Sequence, residues 1–568
     1  MPKIFFLIIP FVPLFIGELF YFNTQKIPGD LGDARFNMYV LEHGFQWLTG
    51  YEHSFWSAPF FYPASDVIAY SDNLLGDLPF YYFFRKIGQD RESAYQWWIF
   101  INFALNYLLT YFVLRKWSLS KTGSVCGAYL FAFGLPVMAQ TSMHLQLIPR
   151  FMVPVAFYYL EKHLRSPRPD YFFLFLSALL WQIYLGIYSG YFLFILLILF
   201  ILIHLVRKHW NFEKKEIIKS ISFVFLSIKQ SFKFLLTIKI KDYLIYFGLI
   251  LLFILGILPL AIPYGRVALE FHGGRSWGEI SSMLPRISSY FHDPLSILYG
   301  RFMHFGDALP LSWEHMIFLG IVPIIAILLF LWKKKWRFTD YSKTLFTELL
   351  ILICIVFIIT LYIGGFSFYW ILAQIPGANA IRAVTRIVLV LLFPIAVILG
   401  CVITRIQNDL EEKIISNRIK NDFFKNGLQG GIIIFLVVIL LLDQSSNVNS
   451  MEKKAVQNRV EILEKKVDGL EINRKKDIIL WYSKQRPDFW VIQLDAMLAA
   501  QNLGIPTING YSGNIPPFYG GGLFSLDQNK CKELTNWIQK NSQKFMNKKI
   551  ITIGSDCMIP KILEINRK

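Results

Sequence analysis

Two aspartates and an arginine follow closely after the first hydrophobic stretch of the chain. The segment reads Pro28-Gly29-Asp30-Leu31-Gly32-Asp33-Ala34-Arg35. Acidic side chains this close to a hydrophobic span are costly unless a partner or a substrate holds them, so we interpret them as a candidate site. A carboxylate can accept a proton from a substrate hydroxyl. We predict Asp33 as the base and Asp30 as a helper carboxylate or metal ligand; the alternative is that Asp33 only caps the helix beginning at Ala34.

Two further arginines, Arg382 and Arg386, have a spacing and a chemistry that suit a phosphate group. Four residues apart on a helix, they would share one face at the start of a hydrophobic stretch. The planar donor fork of a guanidinium matches phosphate oxygens. Arginines at helix ends also extend to the membrane interface for purely structural reasons. Both interpretations stay open at this point.

Three more polar residues are predicted substrate contacts, each with a structural alternative. Arg35, two residues from Asp33, could equally be its ion-pair partner. His144 lies in the short loop 140–146, where a phosphate or acceptor contact and a buried structural role explain it equally well. Asp72, in an aromatic-rich loop, suits a sugar pocket, although a role in shaping the loop is the simpler explanation. Glu42 and His43, on the helix after Asp33, are expected on a solvated face.

The composition of the chain indicates a polytopic membrane protein. Of its 568 residues, 55% are hydrophobic and only 17% are charged. Helices of roughly 20 apolar residues can cross a bilayer of about 30 Å. We predict about eleven such spans, two of which come from one long apolar stretch that we divide near Gly186. They cover residues 4–22, 95–114, 122–140, 147–161, 171–186, 190–206, 243–263, 313–332, 345–363, 383–404 and 428–443.

The placement of Lys and Arg predicts the orientation. If the amino terminus is inside, the basic loops 115–121, 161–169, 207–242, 333–343 and 405–425 are cytoplasmic. The apolar centre of 207–242 is predicted to be an interfacial amphipathic helix. The net charge of +18 is then mostly a topology signal, which excludes nucleic acid as a partner.

The chain is predicted to have two parts. Residues 1–443 form a transmembrane catalytic domain, whose first external loop covers 23–94. Residues 444–568 form a small external α/β domain, with a helix over 451–470, β-like runs at 489–493, 506–509 and 549–553, and a helix over 494–503. This organisation predicts a multi-pass protein of the cell inner (plasma) membrane with an external carboxyl-terminal domain.

The organisation resembles the GT-C superfamily of integral-membrane glycosyltransferases. That family carries a catalytic Asp in the first external loop, where this chain has Gly29-Asp30-Leu31-Gly32-Asp33-Ala34-Arg35. Arg382-Ala383-Val384-Thr385-Arg386 and Gly510-Tyr511-Ser512-Gly513-Asn514-Ile515-Pro516 look like segments of the bacterial YfhO-like branch. The Asp-Glu pair of protein mannosyltransferases and the Trp-Trp-Asp signature of oligosaccharyltransferases are missing from the sequence, which leaves the acceptor class open.

The resemblance implies transfer of a sugar from a polyprenyl-phosphate-linked donor to a glycan, lipid or protein acceptor at the outer face, with inversion at the sugar carbon. Membrane lipid and the lipid-linked sugar are the expected partners. A divalent cation is a possible cofactor that the sequence does not decide. The alternatives are a transporter or flippase for a lipid-linked saccharide, and a scaffold with a degenerate site.

Overall fold

A computed structural model of the chain describes residues 25–209, 240–271, 274–332, 340–375, 378–416, 422–474, 476–481, 489–519, 529–546 and 548–553. The first predicted span, 4–22, and the predicted interfacial helix within 207–242 lie outside these residues.

Most of the described chain before residue 444 is α-helical. The described helices of this part are α1 (Asp33–Leu48), α2 (Leu78–Lys86), α3 (Arg91–Lys116), α4 (Lys121–Phe133), α5 (Leu135–Thr141), α6 (Met152–Arg165), α7 (Pro169–Leu185), α8 (Ile187–His209), α9 (Ile240–Glu270), α10 (Trp277–Ser282), α11 (Ile321–Trp332), α12 (Asp340–Thr360), α13 (Tyr369–Ala373), α14 (Ile387–Ser416) and α15 (Asp422–Asp443).

Six stretches of the described chain are helical, long and apolar enough to cross a membrane: 91–116, 121–141, 187–208, 240–270, 343–360 and 384–410. Shorter apolar helices cover 169–185, 321–332 and 430–443. The prediction of a helical membrane protein is therefore confirmed, whereas the count of about eleven spans stays a prediction.

Several predicted spans have different boundaries in the structure. The span 122–140 is broken at Gly134 into α4 and α5, because Pro136 cannot continue the helix hydrogen bonding. Residues 313–320 of the span 313–332 are not part of a membrane helix, which begins only at Ile321. The helix predicted at 147–161 begins at Met152, because Pro149 and Arg150 lie in an irregular turn.

Helix α14 lies at the centre of the bundle and packs closely against α4. A Cβ atom at Gly123 would lie 2.3 Å from the carbonyl oxygen of Gly400, and one at Gly127 would lie 2.6 Å from that of Ala396. Small residues at such positions allow two helix backbones to approach, which is the usual basis of helix packing in membranes. This contact fixes α14, which begins at Ile387, directly after Arg386.

Two short strands join the first loop to the segment after α15. Strand β1 (Lys26–Pro28) pairs antiparallel with β2 (Ser450–Glu452), with Ile27 opposite Met451. The backbone N–H of Gly29 also donates to the carbonyl of Asn449, at 2.7 Å. The start of the first loop is therefore attached to the start of the carboxyl-terminal region.

The tail, residues 444–568, forms a small α/β unit where it is described. It contains α16 (Lys453–Lys465), β3 (Asp477–Trp481), α17 (Phe489–Leu503), α18 (Asn529–Lys540), α19 (Ser542–Phe545) and β4 (Lys549–Ile553). Strands β3 and β4 are parallel, and Thr507 adds a single bridge to Ile479.

Two of the strand predictions for the tail were wrong. Residues 489–493 form the first turns of α17 rather than a strand, because their apolar side chains continue the buried face of the helix predicted at 494–503. Residues 506–509 form no strand, although Thr507 makes a bridge to Ile479. The strand at 549–553 is confirmed as β4, and β3 was not predicted.

Candidate functional site

Asp33 is the first residue of α1 and has contacts to two distant parts of the chain. Its Oδ2 lies 2.7 Å from Nδ1 of His144, and its Oδ1 accepts a hydrogen bond of 2.6 Å from the hydroxyl of Tyr511. The Asp33 side chain is 28% exposed. The first loop, the loop before α6 and the tail therefore meet at one carboxylate that still faces solvent.

Asp30 lies beside Asp33 and supports the start of the same helix. Its Oδ1 accepts hydrogen bonds from the backbone N–H groups of Gly32 and Ala34, at 3.1 and 3.3 Å. Its Oδ2 accepts no hydrogen bond from the described residues. A Cβ at Gly32 would lie 3.2 Å from both that oxygen and the Tyr511 hydroxyl, so glycine leaves space between Asp30 and Tyr511. Asp30, and not Asp33, therefore satisfies the free N–H groups of the helix start.

His144 connects Asp33 to a second carboxylate. Its Nε2 lies 3.2 Å from Oε1 of Glu314, which lies in the short turn before α11. Glu314 in turn accepts both donors of the Arg386 fork, from Nη2 at 2.6 Å and from Nε at 3.0 Å. The Arg386 guanidinium lies over the ring of Tyr188, 4.9 Å from its centre. The result is a chain of alternating charges from Asp33 to Arg386.

These contacts change the acidities of the groups. Burial and the charge of Arg386 disfavour protonated His144, but the two carboxylates outweigh them and raise the pKa of His144 to about 9. Burial would raise the pKa of Asp33, yet His144 and Tyr511 lower it to about 2. The same balance, with Arg386 as the main opposing charge, holds the pKa of Glu314 well below its usual range. Near neutral pH the side chains of Asp33, His144 and Glu314 are therefore all ionised.

Asp30 differs from Asp33 in this respect. Burial, together with the negative charge of Asp33, raises the pKa of Asp30 above its usual 3.8. A carboxylate of higher pKa is the better proton acceptor, whereas Asp33 stays ionised and accepts hydrogen bonds. The two aspartates are thus chemically distinct although they are three residues apart.

Arg382 and Arg386 are separated in the structure. Arg386 closes a short 3-10 turn (Val384–Arg386), but Arg382 lies before it in irregular chain, so the prediction that both share one face of a helix was wrong. Arg382 donates from Nη1 to Oε1 of Glu279 at 2.9 Å and is 39% exposed. Arg386, with 9% exposure, is largely occupied by Glu314. The two arginines therefore have different access to a ligand.

Arg35 does not contact Asp33. Its guanidinium pairs with Asp495 of α17, and neither side chain is more than 1% exposed. Residues two apart on a helix point about 200° apart, which is why Arg35 cannot pair with Asp33. Asp495 also accepts from Arg459 of α16, at 2.8 Å. The predicted substrate contact of Arg35 is therefore replaced by an ion pair between α1 and the tail.

The Asp72 side chain is also buried rather than open to a ligand. It is 5% exposed, and its Oδ1 accepts the backbone N–H of Ile187 at 2.8 Å, at the start of α8. This is the loop-shaping alternative of the sequence prediction.

The expectation that Glu42 and His43 are solvated was wrong. Glu42 is buried in a bidentate pair with Arg85, and both backbone carbonyls Ser54 and Phe55 contact His43 Nε2. A following loop covers this face of α1, which periodicity alone does not reveal.

Sequence reasoning missed two residues of the site, Glu314 and Tyr511. Glu314 is an acid in the Ser312-Trp313-Glu314-His315 turn just before an apolar helix, a position comparable to that of Asp33. Tyr511 belongs to the Gly510-Tyr511-Ser512 segment that carried the family resemblance, but its role was not predicted. A Cβ at Gly510 would lie 2.1 Å from the Phe61 ring, so that glycine lets the Tyr511 loop lie against the first loop.

Among the described residues, no group of three or more His, Cys, Asp or Glu side chains is arranged to hold a metal ion. Asp30 and Asp33 supply only two carboxylates, and the nearby His144 directs both ring nitrogens at carboxylates. A divalent cation thus finds an incomplete ligand set in this arrangement.

Comparisons with known proteins give matches among solved structures only. No family model and no curated protein sequence matches the chain. The archaeal oligosaccharyltransferase AglB from Archaeoglobus fulgidus, solved in complex with an inhibitory peptide and a dolichol-phosphate, is similar over 97% of this chain and 69% of its own, with 12% identity and a TM-score of 0.50. The apo form of an oligosaccharyltransferase from the same organism matches over 89% and 64%, with 13% identity and a TM-score of 0.45.

The first of these similarities covers nearly the whole chain, including the tail. AglB is a GT-C-type glycosyltransferase. The particular YfhO-like branch stays a prediction. The fold of this chain is therefore similar to that of AglB.

Proposed function

We propose that this protein is a membrane glycosyltransferase that uses a sugar linked to a polyprenyl phosphate and acts at the membrane face where the tail lies. The observation that carries the proposal is the charge chain Asp33–His144–Glu314–Arg386, which ends on a partly exposed carboxylate between the first loop and the tail. The similarity of the fold to AglB supports it, because the AglB structure holds a dolichol-phosphate, a lipid phosphate of the same chemical kind.

The proposed reaction needs a proton acceptor and a stable leaving group. The acceptor hydroxyl attacks the sugar carbon, the bond from that carbon to the phosphate oxygen breaks, and the hydroxyl proton moves to a carboxylate. Asp33 is the proposed base, and its ionised state at neutral pH leaves it free to accept a hydrogen bond from the acceptor. Asp30 is proposed as the helper carboxylate, and its raised pKa makes it the alternative proton acceptor.

The cations of the site are proposed to balance the departing phosphate. Guanidinium groups suit this role because their donors match phosphate oxygens. Arg382 is proposed as a direct contact and Arg386 as a contributor of positive charge that also holds Glu314 in place. His144, protonated at neutral pH, adds a further positive charge beside Asp33.

The acceptor and the sugar are left open by this proposal. A glycan, a lipid or a protein are all candidates, and the inhibitory peptide in the AglB structure supports the protein class for AglB itself. An external side for the tail and the inner (plasma) membrane as location follow from the basic loops and are part of the proposal.

A transporter of a lipid-linked saccharide is the second candidate. A buried ionisable pair inside two apolar helices favours it, because Glu348 of α12 is 1% exposed and lies 3.1 Å from Nδ1 of His204 in α8. Such groups within spans are typical of transport pathways. The site residues around Asp33, by contrast, cluster at one end of the bundle, which favours a one-sided enzyme.

The test uses purified protein in liposomes with a set of polyprenyl-phosphate sugars. An enzyme releases polyprenyl phosphate and forms a glycosylated acceptor, and Asp33→Asn abolishes both. Movement of intact donor between leaflets without release of polyprenyl phosphate would support the transporter instead. Lipid analysis of a deletion strain then identifies the sugar, because its lipid-linked donor accumulates.

A further inference from the structure

A second cluster of charges lies beside the Asp33 site. Glu279 of α10 accepts from two arginines through the same oxygen, Oε1, which is 2.9 Å from Nη1 of Arg382 and 3.3 Å from Nη1 of Arg275. All three side chains are partly exposed, at 30%, 39% and 27% respectively. Two positive charges thus share a single negative one at an accessible position.

The backbone around Arg275 is built to bring it close to Arg382. Gly274 has a φ of +118°, in the region that favours glycine, and a Cβ there would lie 2.6 Å from the side chain of Asn379. The N–H of Arg275 donates to the carbonyl of Asn379 at 3.0 Å. Because Asn379 is three residues before Arg382, this contact holds the two guanidinium groups on one side of Glu279.

The cluster reaches the tail loop that carries Tyr511. Nη2 of Arg275 donates to the carbonyl of Gly513, at 3.1 Å, and to the side-chain oxygen of Asn514. The charge of Arg382 also acts on the Tyr511 hydroxyl, which itself donates to Asp33. The cluster and the Asp33 carboxylate therefore both contact the loop that carries Tyr511.

The hydrogen bonding leaves donors available for a ligand. Nε and Nη2 of Arg382 make no hydrogen bond with any residue that the structure describes. Arg386 differs, because Nε and Nη2 of its fork are both taken by Glu314. Arg382 therefore keeps donors that an anion can take, whereas the fork of Arg386 is filled by Glu314.

We propose that Arg275 and Arg382 form the phosphate-binding subsite for the lipid-linked substrate, and that Glu279 occupies this subsite as an internal anion until the phosphate displaces it. This inference rests on the proposed function and adds Arg275 and Glu279 to it. Two guanidinium groups can give a phosphate several charge-assisted hydrogen bonds, more than the single shared oxygen of Glu279 provides. Arg275 also donates to Gly513 and Asn514, which links the subsite to the loop that carries Tyr511.

Removal of the Glu279 charge is expected to strengthen phosphate binding rather than weaken it. Loss of a negative charge that competes with the ligand strengthens phosphate binding, whereas loss of a merely structural ion pair weakens it or leaves it unchanged. Purified protein in detergent is titrated with farnesyl phosphate, and farnesol measures the contribution of the apolar tail. We expect Glu279→Gln to lower the Kd for farnesyl phosphate about threefold to tenfold, and Arg275→Gln or Arg382→Gln to raise it by a similar factor.

Matched controls separate the subsite from general charge effects. Glu461→Gln on exposed α16 and Arg168→Gln in a loop between α6 and α7 change the same charges far from the cleft and should leave the Kd unchanged. An unchanged or raised Kd in folded Glu279→Gln protein overturns the proposal. If that variant does not fold, Arg275→Gln decides, since an unaltered Kd there overturns it too.

The outcome for the subsite is independent of the outcome for the activity. Farnesyl phosphate binding that responds to Glu279 and Arg275, without transfer from any donor, would refute the glycosyltransferase and retain the subsite. Transfer activity with a Kd that is insensitive to all three substitutions would do the reverse.

Discussion

The hydroxyl of Tyr511 lies 2.6 Å from Oδ1 of Asp33, so a residue of the tail donates directly to the carboxylate at the start of α1. Burial and the negative charge of Asp33 raise the pKa of this phenol, which keeps it a hydrogen-bond donor at all ordinary pH values. The tail is thus part of the site, and removal of the Tyr511 hydroxyl tests this contact.

Tyr511→Phe removes only that hydroxyl. We expect turnover to fall about tenfold, because the Asp33 carboxylate loses one of its two partners, with a stability loss of about 1 kcal/mol. Tyr519→Phe is the matched control, since Tyr519 donates to the carbonyl of Ile508 in the same loop, at 2.6 Å. It should cost similar stability without the loss of turnover; equal turnover in the two variants would contradict the role of Tyr511.

Asp33→Asn and Asp30→Asn separate the two carboxylates. Loss of a general base costs about 10²–10⁴ in rate. Because Asp33 pairs with His144 and Tyr511, a purely structural Asp33 would lower the melting temperature when replaced by Asn, without a comparable loss of turnover. Sugar transfer and thermal melting are measured for both proteins. If Asp33→Asn keeps near-normal turnover and Asp30→Asn is inactive, the roles are reversed, and if both are active the first loop is not the catalytic centre.

The ionised chain makes stability depend on pH in a predictable direction. The pKa of His144 is raised from 6.5 to about 9, so its contribution is fully present below about pH 6.5 and is lost as the pH rises to about 9. That contribution amounts to about 3 kcal/mol at most. The melting temperature should therefore fall between pH 6.5 and 9, and His144→Gln should flatten this part of the profile. A wild-type profile without the fall would contradict the charged histidine.

Asp33 gives the opposite dependence at low pH. Its pKa is lowered from 3.8 to about 2, so its contribution is present above pH 3.8 and is lost as the pH falls to about 2. Melting curves of the wild-type protein and of Asp33→Asn should converge in that range.

The buried pair between Arg35 and Asp495 predicts a large structural effect. Asp495→Asn leaves the fully buried Arg35 without its counter-charge, and breaking such a pair costs about 3–5 kcal/mol. Arg459→Gln, which removes the partly exposed partner of the same carboxylate, should cost clearly less. Thermal melting in detergent measures both losses. Similar losses would show that the unpaired buried charge of Arg35 is not what makes Asp495→Asn costly.

Local patterns predicted much of the membrane part but little of the site. Apolar runs predicted most of the described helices because a helix in lipid satisfies its own backbone hydrogen bonds. The contacts of Asp33 join residues 111 and 478 positions apart, and no local pattern specifies such pairs. Asp33 and His144 could be proposed from their loops, whereas their partners Glu314 and Tyr511 could not.

The arginines show that side-chain chemistry alone does not identify the partner of a residue. The chemistry of Arg386 suits a phosphate, yet Glu314 takes its fork because the turn at 312–315 returns to the start of α14. Arg35 was near Asp33 in sequence but lies on another face of α1 and pairs with the tail. Side-chain type predicts which chemistry is possible, and the tertiary fold decides which partner is present.

The pairing of β1 with β2 has a consequence for biosynthesis. The strand next to Asp30 finds its partner only after residues 450–452 have been made, at the far end of the membrane domain. Tyr511 is synthesised later still. During translation, each nascent chain therefore carries an incomplete site until residue 511 has been made.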